Sequence, residues 1–296
     1  VLALVCAAAL LVTGVLAKLV PLTQQGDART LHGFVGLNAP RVTPLLDRIA
    51  HLADPGPYAL TALLLALVAL ARGRRRVALL IPLVFLLTGA TAEVLKHLLA
   101  SPRLDEWLGP VPRIDAASWP SGHATAAMTM ALCAVLAAPP RLRPTVAVLG
   151  GAFAIAVGYA ILALAWHLPS DVFGGYLLAG TYVLLALAAL AWAQRVRPTA
   201  ERAQAAARPV DVVPALGIAL GAAGAAFGLA LTRPHALLGY AEDHTTFVVG
   251  ALTIAALALV LALTMAAGLR VGGPASTAAG WRPAARAAPR RRWHRG

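Results

Sequence analysis

Two short stretches hold residue types suited to phosphoryl chemistry, Trp119-Pro120-Ser121-Gly122-His123 and His167-Leu168-Pro169-Ser170-Asp171. Pro tolerates the first helical turn and a Ser hydroxyl can accept from the free amides there, so Pro120 and Ser121 predict a helix entry. A helix entry is an anion site, because its unpaired amides and the macrodipole both favour negative charge. Gly122 has no side chain to keep a phosphate from those amides. His123 then stands where a proton can be handed over. His167 is followed four positions later by Asp171, a spacing at which a carboxylate can reach back and fix an imidazole's tautomer. Together the two stretches imply phosphoryl transfer through a histidine nucleophile.

The elements that must carry these residues are membrane helices. The chain of 296 residues is 59% hydrophobic and only 12% charged, with a mean hydropathy of +0.75, far from a soluble domain's usual quarter of charged residues. The net charge of +13 does not point to nucleic acid, because the arginines sit between hydrophobic spans. Cys6 and Cys133 both fall inside apolar runs and read as small buried hydrophobes, neither a disulfide nor a metal cluster.

Eight spans are expected. Val1 to Val20 lacks a basic region in front and reads as a first span better than as a secretory signal. The others are Tyr58 to Ala71, Val77 to about Leu99, Ser121 to Ala138, Thr145 to Trp166, Asp171 to Trp192, Val212 to Leu231 and Thr246 to Ala267. Pro21 to Pro57 is polar and mixed, with an amphipathic piece around Val42 to Leu52 whose Leu45, Leu46, Ile49 and Leu52 share a helical face, suited to the membrane surface. Ser101 to Trp119 reads as a loop, and so does the segment holding Arg233, His235, Glu242, Asp243 and His244. The domain reading is a six-span core over 1–194, a basic linker over 195–211, two additional spans over 212–267 and a basic, disordered tail over 268–296.

Arginine-rich connections follow the second, fourth, sixth and eighth spans. If the first span starts in the cytoplasm, all of them fall inside, as the positive-inside rule asks, and the C-terminus is cytoplasmic. The same count places Lys96, Arg103, His123, His167 and Asp171 at the outer face. Charge near a span end is costly, about 2.5 to 3.5 kcal/mol at a span centre, so Glu93 and Lys96 predict a site or a paired interior contact.

On these residues the chain resembles the type 2 phosphatidic acid phosphatase superfamily of lipid phosphate phosphatases, whose phosphate site is shared with vanadium haloperoxidases. The family's first motif is Lys, six residues, Arg, Pro; Lys96 and Arg103 have that spacing, with Leu104 in place of Pro. Its second motif, Pro-Ser-Gly-His, is intact at Pro120 to His123. Its third is Ser-Arg, five residues, His, three residues, Asp; here His167 and Asp171 stand, with Ala160 and Ile161 at the Ser-Arg positions. The resemblance covers roughly the first six spans. It implies an all-α, polytopic membrane bundle with a six-span phosphatase-like core, to which this chain adds two C-terminal spans. It further implies that His167 attacks phosphorus, Asp171 orients it, and His123 protonates the leaving oxygen and then activates water. Lys96, Arg103, Ser121 and the Gly122 amide would hold the phosphate oxygens, with no metal and no cofactor. Arg113 is a candidate substitute for the ligand that Ile161 does not supply, a loss worth about 2 to 4 kcal/mol of transition-state stabilisation.

Taken singly, each residue also has a structural reading: Ser121 and Asp171 as helix caps, His167 as an interfacial side chain beside Trp166, Lys96 as a snorkelling ammonium. Two functions therefore stand side by side. One is a phosphoric monoester or diphosphate hydrolase of a bacterial plasma membrane, taking a lipid phosphate or polyprenyl pyrophosphate at the outer face. The other is a family relative without turnover that binds lipid phosphates or acts as a membrane partner. The expected partners are the lipid substrate and membrane lipids, with no nucleic acid; the sequence sets no oligomeric state.

Overall fold

The helix that starts at the Pro-Ser-Gly-His stretch is the axis of the bundle. The computed structural model describes residues 1–101, 114–197, 208–232 and 234–271. In chain order its helices are α1 (Leu2–Leu19), α2 (Pro21–Val35), α3 (Thr43–His51), α4 (Pro55–Ala71), α5 (Arg75–Leu98), α6 (Gly122–Ala137), α7 (Arg143–Ala163) and α8 (Pro169–Val196). After a short 3-10 turn at Pro209–Val212 come α9 (Val213–Thr232), α10 (Pro234–Asp243) and α11 (Thr245–Val271). Every residue of α6 from Ala124 to Ala137 is buried except Ala134, and the helix packs against α4, α5, α7, α8 and α11.

Small residues make that packing possible, as expected where lipid removes the hydrophobic drive between helices and close backbone approach must replace it. A β-carbon on Gly175 of α8 would lie 2.8 Å from the Ser121 carbonyl oxygen and 2.8 Å from the Thr125 amide nitrogen. On the α7 side, one on Gly150 would lie 3.0 Å from the Ala131 β-carbon. The Trp119 indole, 2% exposed, lies against Gly14 of α1 and Gly174 of α8. It pins the segment leading into α6, which enters through a cis Trp119–Pro120 peptide.

The chain is an integral membrane protein. Among the described residues five helices, Leu2–Leu19, Arg75–Leu98, Arg143–Ala163, Pro169–Val196 and Thr245–Leu269, are long and apolar enough to cross a bilayer. The pair α3 and α4, bent by 49°, makes a sixth if taken as one span. The expected fourth span is the 16-residue α6, apolar but short, and shielded by its neighbours.

One end of the bundle is closed by arginine. Arg74 Nη1 donates to the Leu136 carbonyl at the end of α6 (2.6 Å), Arg76 Nη2 to the Arg197 carbonyl beyond α8 (2.7 Å), and Arg143 Nη1 to the Leu269 carbonyl near the end of α11 (3.2 Å). Cations here complement the negative ends of three helix dipoles. The opposite end carries α2, α3 and α10.

Three sequence expectations change. The polar stretch after α1 is not irregular: α2 is helical, with Asp27, Ala28, Thr30, Leu31 and Phe34 on its buried face, so tertiary packing outweighs a poor apolar pattern. The polar segment around His235 and Glu242 is the helix α10, with Tyr240 donating to the Gly33 carbonyl of α2. On α3 the core-facing apolar residues are Leu46 and Ile49, while Leu45 and Leu52 are exposed. The last helix is integral to the packing: α11 touches α2, α6, α7 and α8, and Tyr159 of α7 donates to its Ala251 carbonyl at 2.6 Å. The linker residues 198–207, Arg233 and the tail from 272 lie outside the described residues.

Candidate active site

Ser121 caps α6 as its sequence predicts. Its backbone is extended, its hydroxyl accepts from the Ala124 amide at 3.3 Å, and its own amide donates to the Asp171 carbonyl at 2.9 Å. That last bond ties the starts of α6 and α8 together, so the two motifs meet through backbone before any side chain is considered.

The turn carrying His167 has a helix-ending geometry. The Trp166 amide donates to the Ile161 carbonyl (2.9 Å), the Ala165 amide to the Leu162 carbonyl (2.9 Å), and Ala165 takes φ 59. This is the Schellman pattern, with Ala at the left-handed position where Gly is usual. It places Trp166 and Ile161 at the two positions where an apolar pair commonly accompanies the motif. Ile161 and Ala160 are fully buried in the apolar core.

Asp171, fully buried in the first turn of α8, has two tasks. Its Oδ2 accepts from the Leu168 amide at 3.0 Å and faces His167 Nδ1 at 3.5 Å. The Leu168 amide bond is the cap the sequence suggests, and the same oxygen is the one nearest His167. Asp27 Oδ1 of α2 accepts from the Ser170 amide at 3.1 Å, so an element outside the three motifs also fixes this turn.

His123, in the first turn of α6, lies 6.2 Å from His167 between ring centroids. Its Nε2 meets Asp54 Oδ1 at 3.1 Å. Trp166 packs against the His123 ring at 5.5 Å, and His51 meets the other side of that cluster at 5.6 Å from Trp166. Lys96 reaches over from the last turn of α5, its Nζ 2.6 Å from Glu93 Oε1 and 2.9 Å from where a Gly122 β-carbon would stand.

The structure thus brings Lys96, Ser121, Gly122, His123, His167 and Asp171 to one end of the bundle, opposite the arginines. The three basic side chains of this group each face a carboxylate: Lys96 has Glu93, His123 has Asp54, His167 has Asp171. Arg103 and Arg113 lie outside the described residues. Asp54 and Asp27 escaped the sequence reading, since both act on residues far along the chain.

Residues 77–195 match the family model described as the PAP2 superfamily. That region runs from α5 through α8 and holds every described site residue except Asp54 and Asp27. The fold of the PAP2 region and its surroundings is similar to the crystal structure of the first transmembrane PAP2 type phosphatidylglycerolphosphate phosphatase from Bacillus subtilis. That match has 19% sequence identity and a TM-score of 0.52, and it covers 67% of this chain and 98% of that one. No curated protein matches the sequence.

Proposed function

We propose that this protein is a membrane phosphatase that hydrolyses a lipid phosphate or polyprenyl pyrophosphate through a phosphohistidine. The observation carrying the reading is the pair of imidazoles 6.2 Å apart, each with its own carboxylate, at the amide-rich start of α6. Phosphoryl transfer asks for positioning and charge stabilisation more than for covalent ingenuity.

In this reading Asp171 holds His167 by Nδ1, leaving Nε2 to attack phosphorus. As the N–P bond forms and the P–O bond to the lipid breaks, His123 gives its proton to the leaving oxygen. Water then attacks the phosphohistidine, His123 takes a proton from it, and orthophosphate departs with His167 restored. Lys96, the Ser121 hydroxyl and the Gly122 amide hold the non-bridging oxygens, joined by Arg103 and Arg113. Lys96 exchanges Glu93 for phosphate when substrate arrives. The arginine-closed end faces the cytoplasm under the positive-inside rule, which puts the site outside.

One observation favours a second reading, binding of lipid phosphate without turnover: Ile161, at the family's arginine position, is fully buried among apolar side chains and supplies no ligand. Phosphate release by purified protein against a panel of lipid phosphates and pyrophosphates, with His167→Ala beside it, separates the two. Release that disappears in the variant is expected; no release above the variant on any substrate, from folded protein, overturns the phosphatase reading and leaves binding without turnover to be tested by lipid-phosphate binding.

A further inference from the structure

Asp54 occupies the N-cap position of α4 in an extended conformation, where a carboxylate ordinarily accepts from the amides two and three residues on. It does not cap its own helix. The sequence favours this: the residue three on is Pro57, which has no amide to offer, leaving only the Gly56 amide, and Pro55 already sets the helix start. The carboxylate turns instead to α6, where Oδ1 meets His123 Nε2 at 3.1 Å. The pair is partly shielded, 27% exposed at His123 and 35% at Asp54.

Imidazole has one donor and one acceptor nitrogen when neutral, so a partner on one nitrogen decides what the other presents. We infer that Asp54 is a positioning residue for His123: it accepts from Nε2–H throughout, so that protonated His123 donates to the leaving oxygen from Nδ1–H and, once neutral, accepts a proton from water at Nδ1. The arrangement mirrors that of His167, which meets Asp171 through Nδ1 and keeps Nε2 for phosphorus. Opposite nitrogens are thereby committed in the two histidines, one to proton transfer and one to bond formation. The inference rests on the phosphatase reading.

The test uses the purified full chain in detergent and two phosphate monoesters of matched length, an alkyl ester whose oxygen must be protonated to leave as an alcohol and a nitrophenyl ester that leaves as nitrophenolate. Nitrophenolate departs without being protonated, so kcat/KM for phosphoenzyme formation needs the His123 proton only with the alkyl ester. Asp54→Asn is expected to lower kcat/KM about 10- to 100-fold on the alkyl ester and less than about threefold on the nitrophenyl ester. Asp54→Glu, which keeps the carboxylate, is expected to recover part of the alkyl activity. The ratio of the two esters on one preparation does not depend on the fraction folded. If Asp54→Asn yields no folded protein at all, the same ratio is read on Asp54→Glu, with a smaller shift expected. An unchanged ratio, with wild type active and His167→Ala inactive, overturns the role of Asp54 alone. An inactive wild type, or a His167→Ala that still turns over, overturns the phosphatase reading and the role of Asp54 with it.

Discussion

The Lys96 ammonium lies 2.9 Å from the point that a β-carbon on Gly122 would take. A methyl group there displaces only the mobile tip of a lysine, so the fold tolerates it, and alanine is the better helix former by about 0.5 to 1 kcal/mol. Gly122→Ala is therefore expected to keep or raise the melting temperature while lowering phosphate release at least about tenfold, because the ammonium and the α6 amides no longer share one oxyanion. Thermal unfolding and phosphate release on the same preparation check this, and a variant that keeps full activity contradicts it.

Gly175 presents the opposite case. A β-carbon would meet the Ser121 carbonyl oxygen and the Thr125 amide nitrogen, both backbone, and the Ala124 β-carbon, none of which can swing aside. Gly175→Ala should push α8 from α6 and cost about 1 to 3 kcal/mol, with loss of activity because the same contact aligns the two histidines. A melting temperature equal to wild type would show that the helices are not in close contact there.

The double task of Asp171 can be split. Asparagine keeps an oxygen for the Leu168 amide but loses the charge facing His167, while alanine loses both. Asp171→Asn is expected to leave stability near wild type and cut phosphate release by about a hundredfold or more, as with other orienting carboxylates. Asp171→Ala should show the same catalytic loss plus about 1 kcal/mol of instability from the missing cap. Equal stabilities for the two variants would remove the capping role.

Ala165, at φ 59, takes the left-handed conformation that costs any residue with a β-carbon. Ala165→Gly should stabilise the protein by up to about 1 kcal/mol, since glycine takes this conformation without steric cost. A drop in melting temperature would mean that the extra freedom of the unfolded glycine chain outweighs the relief.

Ile161→Arg tests whether restoring the family residue restores a ligand. The side chain starts inside the apolar core, so a guanidinium there is desolvated before it finds a partner. The expected result is a lower melting temperature and no gain in phosphate release. A gain in release would show that the chain at 161 can reach the phosphate.

Much of the site was legible because its signals are local. Pro120, Ser121 and Gly122 announce a helix start from adjacent residues, and the His167–Asp171 spacing needs only one helical turn. Glu93, read as a partner for Lys96, is also only one turn away, and the structure pairs the two. The contributions of Asp54 and Asp27 are invisible at that range: the first acts on His123 and the second on Ser170, across contacts between elements far apart in sequence. Asp54 leaves its own helix uncapped and turns to His123, which only the structure shows. The helices α2 and α10 were missed for a related reason, because both owe their order to neighbours more than to any apolar repeat of their own, as the bond from Tyr240 to Gly33 illustrates.

The C-terminal helix is fastened along its whole length: Thr30 of α2 donates to its Thr246 carbonyl, Tyr159 of α7 to Ala251, and Arg143 to Leu269. During synthesis α11 follows every other described helix. The PAP2 region leaves the ribosome well before it, so α2 and α7 wait in the bilayer with those three acceptors still unmade. A chain stopped after α8 would leave Thr30, Tyr159 and Arg143 without these three acceptors.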